Sequence, residues 1–422
     1  MTQTKLWNER GILMNQNLQL PLRGLKVVEL GTHVAIPLAG RYLASLGAEV
    51  IKVESISGDE WRKVGVSYGC TAVDEENPVF TIANANKHFL SLNLKESSGK
   101  EIMFQLLEDA DVFLTNVRQK GLEKLGFHYE AVKEKNPAIV YCHFTGYGET
   151  GPDASRPGFD TAAFWAKSGL LADLPFEGDY PLKPSGGIGD SIVSANVVSG
   201  VMTALYAREK TGVGTFLTAS LYQSAIWVNA ANVVTTQKMY HNYYPKPKDL
   251  PDDPLSFVFL TKDKQWIITA VVDYNRDWPK VCRAYGVPEL EEDPRFSTEA
   301  AVQSNPEHIR ELCRRITASF ATKTAAEWSK ILTEADIVHS VAGHIKDVAE
   351  DEQAWANGYL EHVTFPTGTQ VAIPQIPVQF SEYQPIPCTA TGGIGRDTDE
   401  ILSKLGFTHD QIDALRKKNT VR

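Results

Sequence analysis

Cysteine is scarce in this chain: five residues, Cys70, Cys142, Cys282, Cys313 and Cys388, in 422. Their number is odd, they are scattered, and no two form a C-x-x-C pair, so neither a disulfide framework nor a zinc site is indicated. They read as reduced, packed thiols. A basic surplus is missing too. With 42 Lys and Arg against 52 Asp and Glu, the formal net charge is -10 and the isoelectric point is near 5.6. Nucleic acids and anionic membranes reward a basic face, so neither is expected as a partner. No apolar run approaches the roughly 18 residues of a membrane span. The opening "MTQTKLWNERGILMNQNLQLPL" lacks the charged-then-apolar order of a secretory leader. Residues 1–20 read as an N-terminal arm, and a cytoplasmic location is expected. G-x-x-x-x-G-K-[ST], H-E-x-x-H and G-x-S-x-G are all absent, which removes the common NTPase, metalloprotease and hydrolase readings. His339 and His344 are five apart, one more than the step that shares a helix face, and read as ordinary surface or packing residues rather than metal ligands.

What is present points to a large core. Apolar side chains make up 43% of the chain and charged ones 22%, enough for two domains. "GLKVVELG" (24–31) is a short strand ending at glycine. Helical "PLAGRYLASLGA" (37–48) and the strand "EVIKVE" (49–54) complete a βαβ unit. The pattern returns through "HFLSLNL" (88–94), "SSGKEIMFQLLEDA" (97–110), "DVFLTNV" (111–117), "EAVKEKN" (130–136) and "AIVYCHFTGYG" (138–148). Such alternation implies a mostly parallel sheet covered on both faces, with ligands at the strand C-terminal ends. Residues 21–225 are expected to form this large α/β domain. A Pro- and Tyr-dense stretch, "YHNYYPKPKDLPDDPL", marks a linker, taken as 226–255. A strand and two amphipathic helices then suggest a smaller α+β domain at 256–350. Beyond it, residues 351–422 read as a Pro-rich return stretch and C-terminal segment.

One short stretch, "PSGGIGDSIVSA" (184–195), sets a single carboxylate, Asp190, between glycines and a small-residue helix. The residues by themselves favour a capping role: Asp is a preferred helix N-cap, able to take the free N–H groups of Ser191 to Val193. Whether so open a stretch of backbone also gives this acid a chemical task, they leave open. A nicotinamide cofactor is weakly supported: Glu54 lies about where a dinucleotide fold puts its ribose-binding acid, but the turn "GTHVAIPLAG" lacks G-x-G-x-x-G.

Eight pieces in order, "GLKVVELGTHVAIPLAGRYLASLGAEVIKVE", "NANKHFLSLNLK", "ADVFLTNVRQKGLEKLGF", "GYGETGP", "RPGFDTAAFWAKSGL", "GGIGDSIV", "REKTGVGTFLTASL" and "TAAEWSKILTEADI", carry a resemblance over nearly the whole chain from Leu22 onward. Together they look like the class III CoA-transferases, the family of formyl-CoA and carnitine CoA-transferases. "DEENPVFTIANANK", "GYGETGPDASRPGFD" and "GGIGD" are most similar to its branch acting on 2-hydroxy acids such as phenyllactate and 2-hydroxyisocaproate. The resemblance implies a Rossmann-like large domain completed by the C-terminal segment 351–422, an interlocked homodimer of ring-shaped subunits, CoA and acyl-CoA as substrates rather than resident cofactors, and no metal. It implies Asp190 as the nucleophile and Val34, Ala35, Leu92, Lys95, Asn116, Val117, Lys124, Arg156 and Phe159 among the CoA contacts, Lys95 and Lys124 being the phosphate candidates. Ser55 and Lys124 stand where formyl-CoA transferase has arginines, leaving Lys52 or Arg118 as substitutes. Its tetraglycine loop is replaced by "KPKDLPDDPL". Trp61, Tyr68, Phe159 and Trp165 are candidates for an acyl pocket. The rival within the superfamily is an acyl-CoA racemase, which uses Gly-His-Asp where this chain has Gly158-Phe159-Asp160; Phe159 cannot shuttle a proton. An NAD-dependent dehydrogenase is the rival from another class. A non-catalytic binding protein would leave Asp190 unexplained.

Overall fold

Short strands alternating with helices build a six-stranded sheet, all of whose pairs are parallel: β1 (Lys26–Leu30), β2 (Glu49–Glu54), β3 (His88–Ser91), β4 (Val112–Thr115), β5 (Val140–Thr145) and β6 (Thr215–Ser220). The computed structural model describes residues 20–422, so the expected arm, Leu20 apart, lies outside the described residues. Strand order is β3-β2-β1-β4-β5-β6, that of dinucleotide-binding folds. Every residue of β4 and all but the last of β5 are buried, as in a sheet with both faces covered. Between β1 and β4 the winding reverses, and the strand ends there splay into a crevice.

The helices come from small residues at helical spacing. α1 (Ala35–Ser45) buries nine of its residues, among them Ala35, Ala39, Gly40 and Ala44. That thinness lets it pack between sheet and neighbouring helices, α2 (Pro78–Asn84) among them. α3 (Ser97–Glu108), α4 (Gln119–Leu125) and α5 (Tyr129–Lys135) connect the next strands. α6 (Ile188–Thr211) runs between two left-handed glycines, Gly187 and Gly212, and presents Val193, Val197, Val201 and Ala204 inward. α7 (Leu221–Val228) follows β6 and is capped by Ser220.

Two compact units result. The first contains the sheet and comprises the described chain up to Leu170, Pro184–Ala230 and Ala349–Arg422; the second comprises Leu171–Lys183 and Ala231–Val348. In the second, β7 (Val258–Leu260), β8 (Trp266–Ala270) and β9 (Val338–Val341) pair antiparallel. They pack with α8 (Tyr274–Ala284), α9 (Pro306–Phe320) and α10 (Ala325–Glu334), α10 opening on a Thr324–Glu327 capping box. Phe320 stacks between Phe259 and Trp328, each at 4.4 Å. In the first unit the returning chain forms a hairpin, β10 (Leu360–Thr364) with β11 (Gln370–Pro374). It then adds α11 (Thr398–Lys404) and α12 (His409–Lys417), whose Ile401, Leu402 and Ile412 enter the sheet's core. The Phe89 N–H donates to Asp397 Oδ2 at 2.7 Å, and Asn93 N–H to the Thr420 carbonyl at 2.8 Å.

Two expectations need correction. Residues 171–183, read as part of the large domain, belong to the second unit. The segment from 226, read as linker, continues α7 to Val228 and then forms a helical turn, Ala230–Thr235. α6 is long and apolar enough to cross a membrane by length and composition, with mean hydropathy 1.3 over its best 18-residue window. Interspersed Ser, Gly, Asn and Thr hide that apolarity from a search for unbroken runs.

Candidate active site

The crevice begins where β1 ends. A Cβ on Gly31 would collide with Ile36, so only glycine lets the chain turn so tightly into α1. Thr32 then exchanges two hydrogen bonds with Asn116, just beyond β4. Its N–H donates to Asn116 Oδ1 at 3.1 Å, and Asn116 Nδ2 donates to its carbonyl at 2.8 Å. One side chain thus clasps the two strand ends at the switch point. His33 follows in the left-handed region, φ 66°, a conformation a non-glycine residue holds only when its surroundings impose it. The restraint is visible: the His33 N–H donates to Asp59 Oδ1 at 3.2 Å, and the His33 ring lies 5.2 Å from Phe159 and 6.2 Å from Trp61.

Asp59 is itself anchored. Lys52, wholly buried, lies 3.0 Å from both Asp59 Oδ2 and Glu29 Oε1, and donates to the Gly31 carbonyl at 2.7 Å. The other Glu29 oxygen meets Lys87 at 2.7 Å. Lys87 is pushed down to about 7 by desolvation, which the Glu29 charge only partly offsets. Two cations and two anions therefore neutralise each other beneath the crevice. Lys52 is spent there, which corrects the expectation that it stands in for a phosphate contact. Glu54 is likewise clamped, on both oxygens, by Arg62 at 2.8 Å, and is not free to hold a ribose.

Asp190 sits in the first turn of α6, but Gly187 is the cap residue. The N-cap reading is thereby overturned. Among the described residues no hydrogen bond ends on the Asp190 carboxylate; its own N–H donates to Asp160 Oδ1 at 3.1 Å. Burial, and after it the charge of Asp160, pushes the Asp190 carboxyl up to about 7. Asp160 is also raised, by burial, although the N–H groups of Asp190 and Gly189 favour its ionised form. Trp165 Nε1 is buried nearby without a regular hydrogen bond. Glycine at 189 has a definite cause: a Cβ there would run into Asp160 Oδ1 and the Phe164 ring. Gly186 and Gly187, at φ 71° and 65°, are needed for the left-handed entry to the helix.

A cavity of about 770 Å³ opens over these groups. Its walls include Asp190 and six of the sequence candidates, Val34, Ala35, Asn116, Val117, Arg156 and Phe159. The loop bearing the last two is drawn in because Gly146, beyond β5, and Gly158 touch backbone to backbone; a Cβ on either would come within 2.7 Å of the other's Cα. A second cavity of about 580 Å³ shares Thr32 and Val117 with the first. Leu92 and Lys95 line it, along with Ser55. Lys124 lines neither cavity and is exposed in the last turn of α4, while Arg118 lines the larger one. Of the four aromatic candidates for an acyl pocket, only Phe159 lines a cavity. Trp61 donates to the Val79 carbonyl at 3.3 Å, Trp165 is buried beside Phe164, and Tyr68 is exposed. Several cavity residues were not foreseen. His33, His143 and Glu149 share the walls, His143 lying 2.7 Å from Glu149 Oε1 and 2.9 Å from the Val117 carbonyl. Only their places just past β1, on β5 and just past β5 could have signalled them, since a lone His or Glu carries no spacing.

Sheet order, switch-point cavity and a carboxyl poised near neutrality define an α/β enzyme with its site at the strand C-terminal ends. The model of CoA-transferase family III matches residues 22–398, and the chain belongs to that family. It is 35% identical over 406 residues to (R)-2-hydroxy-4-methylpentanoate CoA-transferase of Clostridioides difficile, covering 95% of this chain and 99% of that one. It is 36% identical over 399 residues to cinnamoyl-CoA:phenyllactate CoA-transferase of Clostridium sporogenes, covering 94% and 96%. Among solved structures, Rv3272 of Mycobacterium tuberculosis matches with TM-score 0.78 at 26% identity, over 91% of this chain and 100% of that one. A CAIB/BAIF family protein of Brucella suis matches with TM-score 0.77 at 26% identity, over 92% and 100%.

Proposed function

We propose that this CoA-transferase moves CoA from an acyl-CoA to a 2-hydroxy or related carboxylic acid, with Asp190 as nucleophile. The observation that carries the reading is a carboxylate on the wall of the cavity, pushed up to about 7 and, among the described residues, accepting no hydrogen bond. Such an oxygen is poorly solvated and ready to attack. It adds to the thioester carbonyl of the donor, and the C–S bond breaks to give an aspartyl-acyl anhydride and CoA thiolate. The thiolate attacks the aspartyl carbonyl, releasing the donor acid and leaving an aspartyl-CoA thioester. The acceptor carboxylate attacks that carbonyl, regenerating an anhydride and thiolate. The thiolate then takes the acceptor acyl group, and Asp190 is restored. No redox step or net proton change is involved.

Two adjoining cavities give CoA a path. The thioester lies over Asp190 beside Phe159 and Val34, the pantetheine arm crosses Thr32 and Val117, and the nucleotide lies toward Leu92 and Lys95. The acceptor class is supported by the two bacterial relatives named for 2-hydroxy acids, each matched over nearly its full length. A racemase would need a proton shuttle where this chain has Phe159, an exposed hydrocarbon ring in the cavity wall.

A homodimer belongs to the same proposal. Only 39% of α6's apolar window is buried within one chain, and Tyr206 and Trp227 are exposed to 65% and 77%. A second copy would cover such a face.

The test is incubation with cinnamoyl-CoA and a panel of acids that includes phenyllactate, 2-hydroxy-4-methylpentanoate, succinate and oxalate, reading new CoA esters by mass. Transfer to the 2-hydroxy acids is the expected outcome. Hydroxylamine added after cinnamoyl-CoA should leave a hydroxamate at Asp190, and Asp190→Asn should lose both label and turnover. Full turnover in that variant would end the proposal.

A further inference from the structure

The nucleophile owes its lack of hydrogen-bond donors to a second carboxylate. A side chain in the first turn of a helix normally meets unsatisfied backbone N–H groups and the positive end of the dipole, and both would stabilise an Asp anion there. At α6 two of those donors, the N–H groups of Gly189 and Asp190, are taken. Asp160, thirty positions earlier, accepts the Asp190 N–H at 3.1 Å, and the Gly189 N–H also favours its anion. Three local features deliver it. The backbone contact of Gly146 with Gly158 brings in the loop, the π-helical turn Asp160–Ala166 aims its first residue at α6, and the missing Cβ of Gly189 leaves room for the Asp160 oxygen. Single π-turns recur at functional sites.

We propose that Asp160 is a positioning residue for the nucleophile: it occupies the N–H groups that open α6 and so leaves the Asp190 carboxylate facing the cavity without donors. The proposal rests on the nucleophile reading above. Its electrostatic consequence is one-signed, because the Asp160 charge opposes ionisation of Asp190. The other charged or titratable groups of the cavity wall are His33, Arg118, Lys120, His143, Glu149 and Arg156, and none of them bears on Asp190 as Asp160 does. β6 and α7 bring no charged side chain to α6, Tyr222 being their one titratable group. Arg41 of α1 spends its guanidinium on the Ile82 and Pro374 carbonyls. The charges of α6 itself, Arg208, Glu209 and Lys210, lie at its other end.

The test uses the full-length protein, a water-soluble carbodiimide and glycinamide, with conversion of Asp190 read by peptide mass from pH 5 to 8. Carbodiimide reacts with the protonated carboxyl, so conversion in the parent should halve near pH 7. In Asp160→Asn, which keeps an acceptor but not the charge, the midpoint should fall by about one unit. In Asp160→Ala the freed N–H groups turn to Asp190. The midpoint should fall further, and hydroxylamine trapping from cinnamoyl-CoA should slow by about 10-fold or more at unchanged cinnamoyl-CoA affinity. A midpoint unmoved in Asp160→Asn, or trapping at the parental rate in Asp160→Ala, overturns the proposal. A midpoint that moves as expected in a parent that forms no adduct at Asp190 upholds the arrangement and overturns the nucleophile reading instead.

Discussion

As the proposed nucleophile, Asp190 would trade stability for reactivity, and pH shows how much. Its carboxyl has the ordinary Asp value of about 3.8 when unfolded, and burial pushes it up to about 7 when folded. Between those values the folded state holds a proton that the unfolded state has released. The stabilisation is complete below the lower value and is lost as pH rises through the upper one. Asp190→Asn should therefore be more stable than the parent at pH 8, by about 1–3 kcal/mol. Melting temperatures of both proteins from pH 4.5 to 8 check this: the gap should open with rising pH and level off above 7. A gap that stays constant would mean that Asp190 is not the titrating group. Activity should run the other way, since only the anion attacks. A rate rising through pH 7 in the parent, measured as cinnamoyl-CoA consumption, is the expected profile.

The turns after β1 and before α6 are shaped by close packing rather than by chain flexibility. Gly189→Ala would thrust a methyl group into Asp160 and the Phe164 ring. It should cost about 1–3 kcal/mol in urea unfolding and lower trapping at Asp190 along with it. Under β1 and β2, Lys52 holds Glu29, Asp59 and the Gly31 carbonyl, and through Asp59 the strained His33. Lys52→Met would leave Asp59 buried without its cation and Glu29 with Lys87 alone, a loss of about 3–5 kcal/mol. A smaller shift in the urea midpoint than about 1 kcal/mol would show that the carboxylates find other cations or take up protons. The βαβ alternation made these elements readable in advance, because hydrophobic periodicity is a local property of ten or so residues. Lys52 was misread for the converse reason. "EVIKVE" alternates as a strand should, and nothing within it reveals that carboxylates 23 residues before and 7 after will close over the lysine.

For the molecule as a whole, the exposed side of α6 and the exposed Trp227 call for a cover. Sedimentation should give a mass of twice the 46.7 kDa of the chain, and the melting temperature should rise with protein concentration if folding and association are linked. A monomer at micromolar concentration would remove the homodimer from the proposal. The returning C-terminal segment shows another limit of local reading. Residues 351–422 were expected to rejoin the large domain on resemblance alone; α11 and α12 carry no mark in their own composition of the sheet core they enter. Residues 171–183 likewise leave the first unit within an otherwise continuous stretch.

Composition and periodicity alone established an acidic α/β protein with a parallel sheet, ligand chemistry at the strand ends and one conspicuous aspartate among glycines. Those features depend on neighbours a few residues apart, and the chain displays them in one dimension. Burial of Lys52, the meeting of Asp160 with Asp190 and the union of two cavities through Thr32 and Val117 were decided only by the folded chain. Charge, solvation and reactivity depend on every group within a few ångströms, and most of those groups arrive from elsewhere in the sequence.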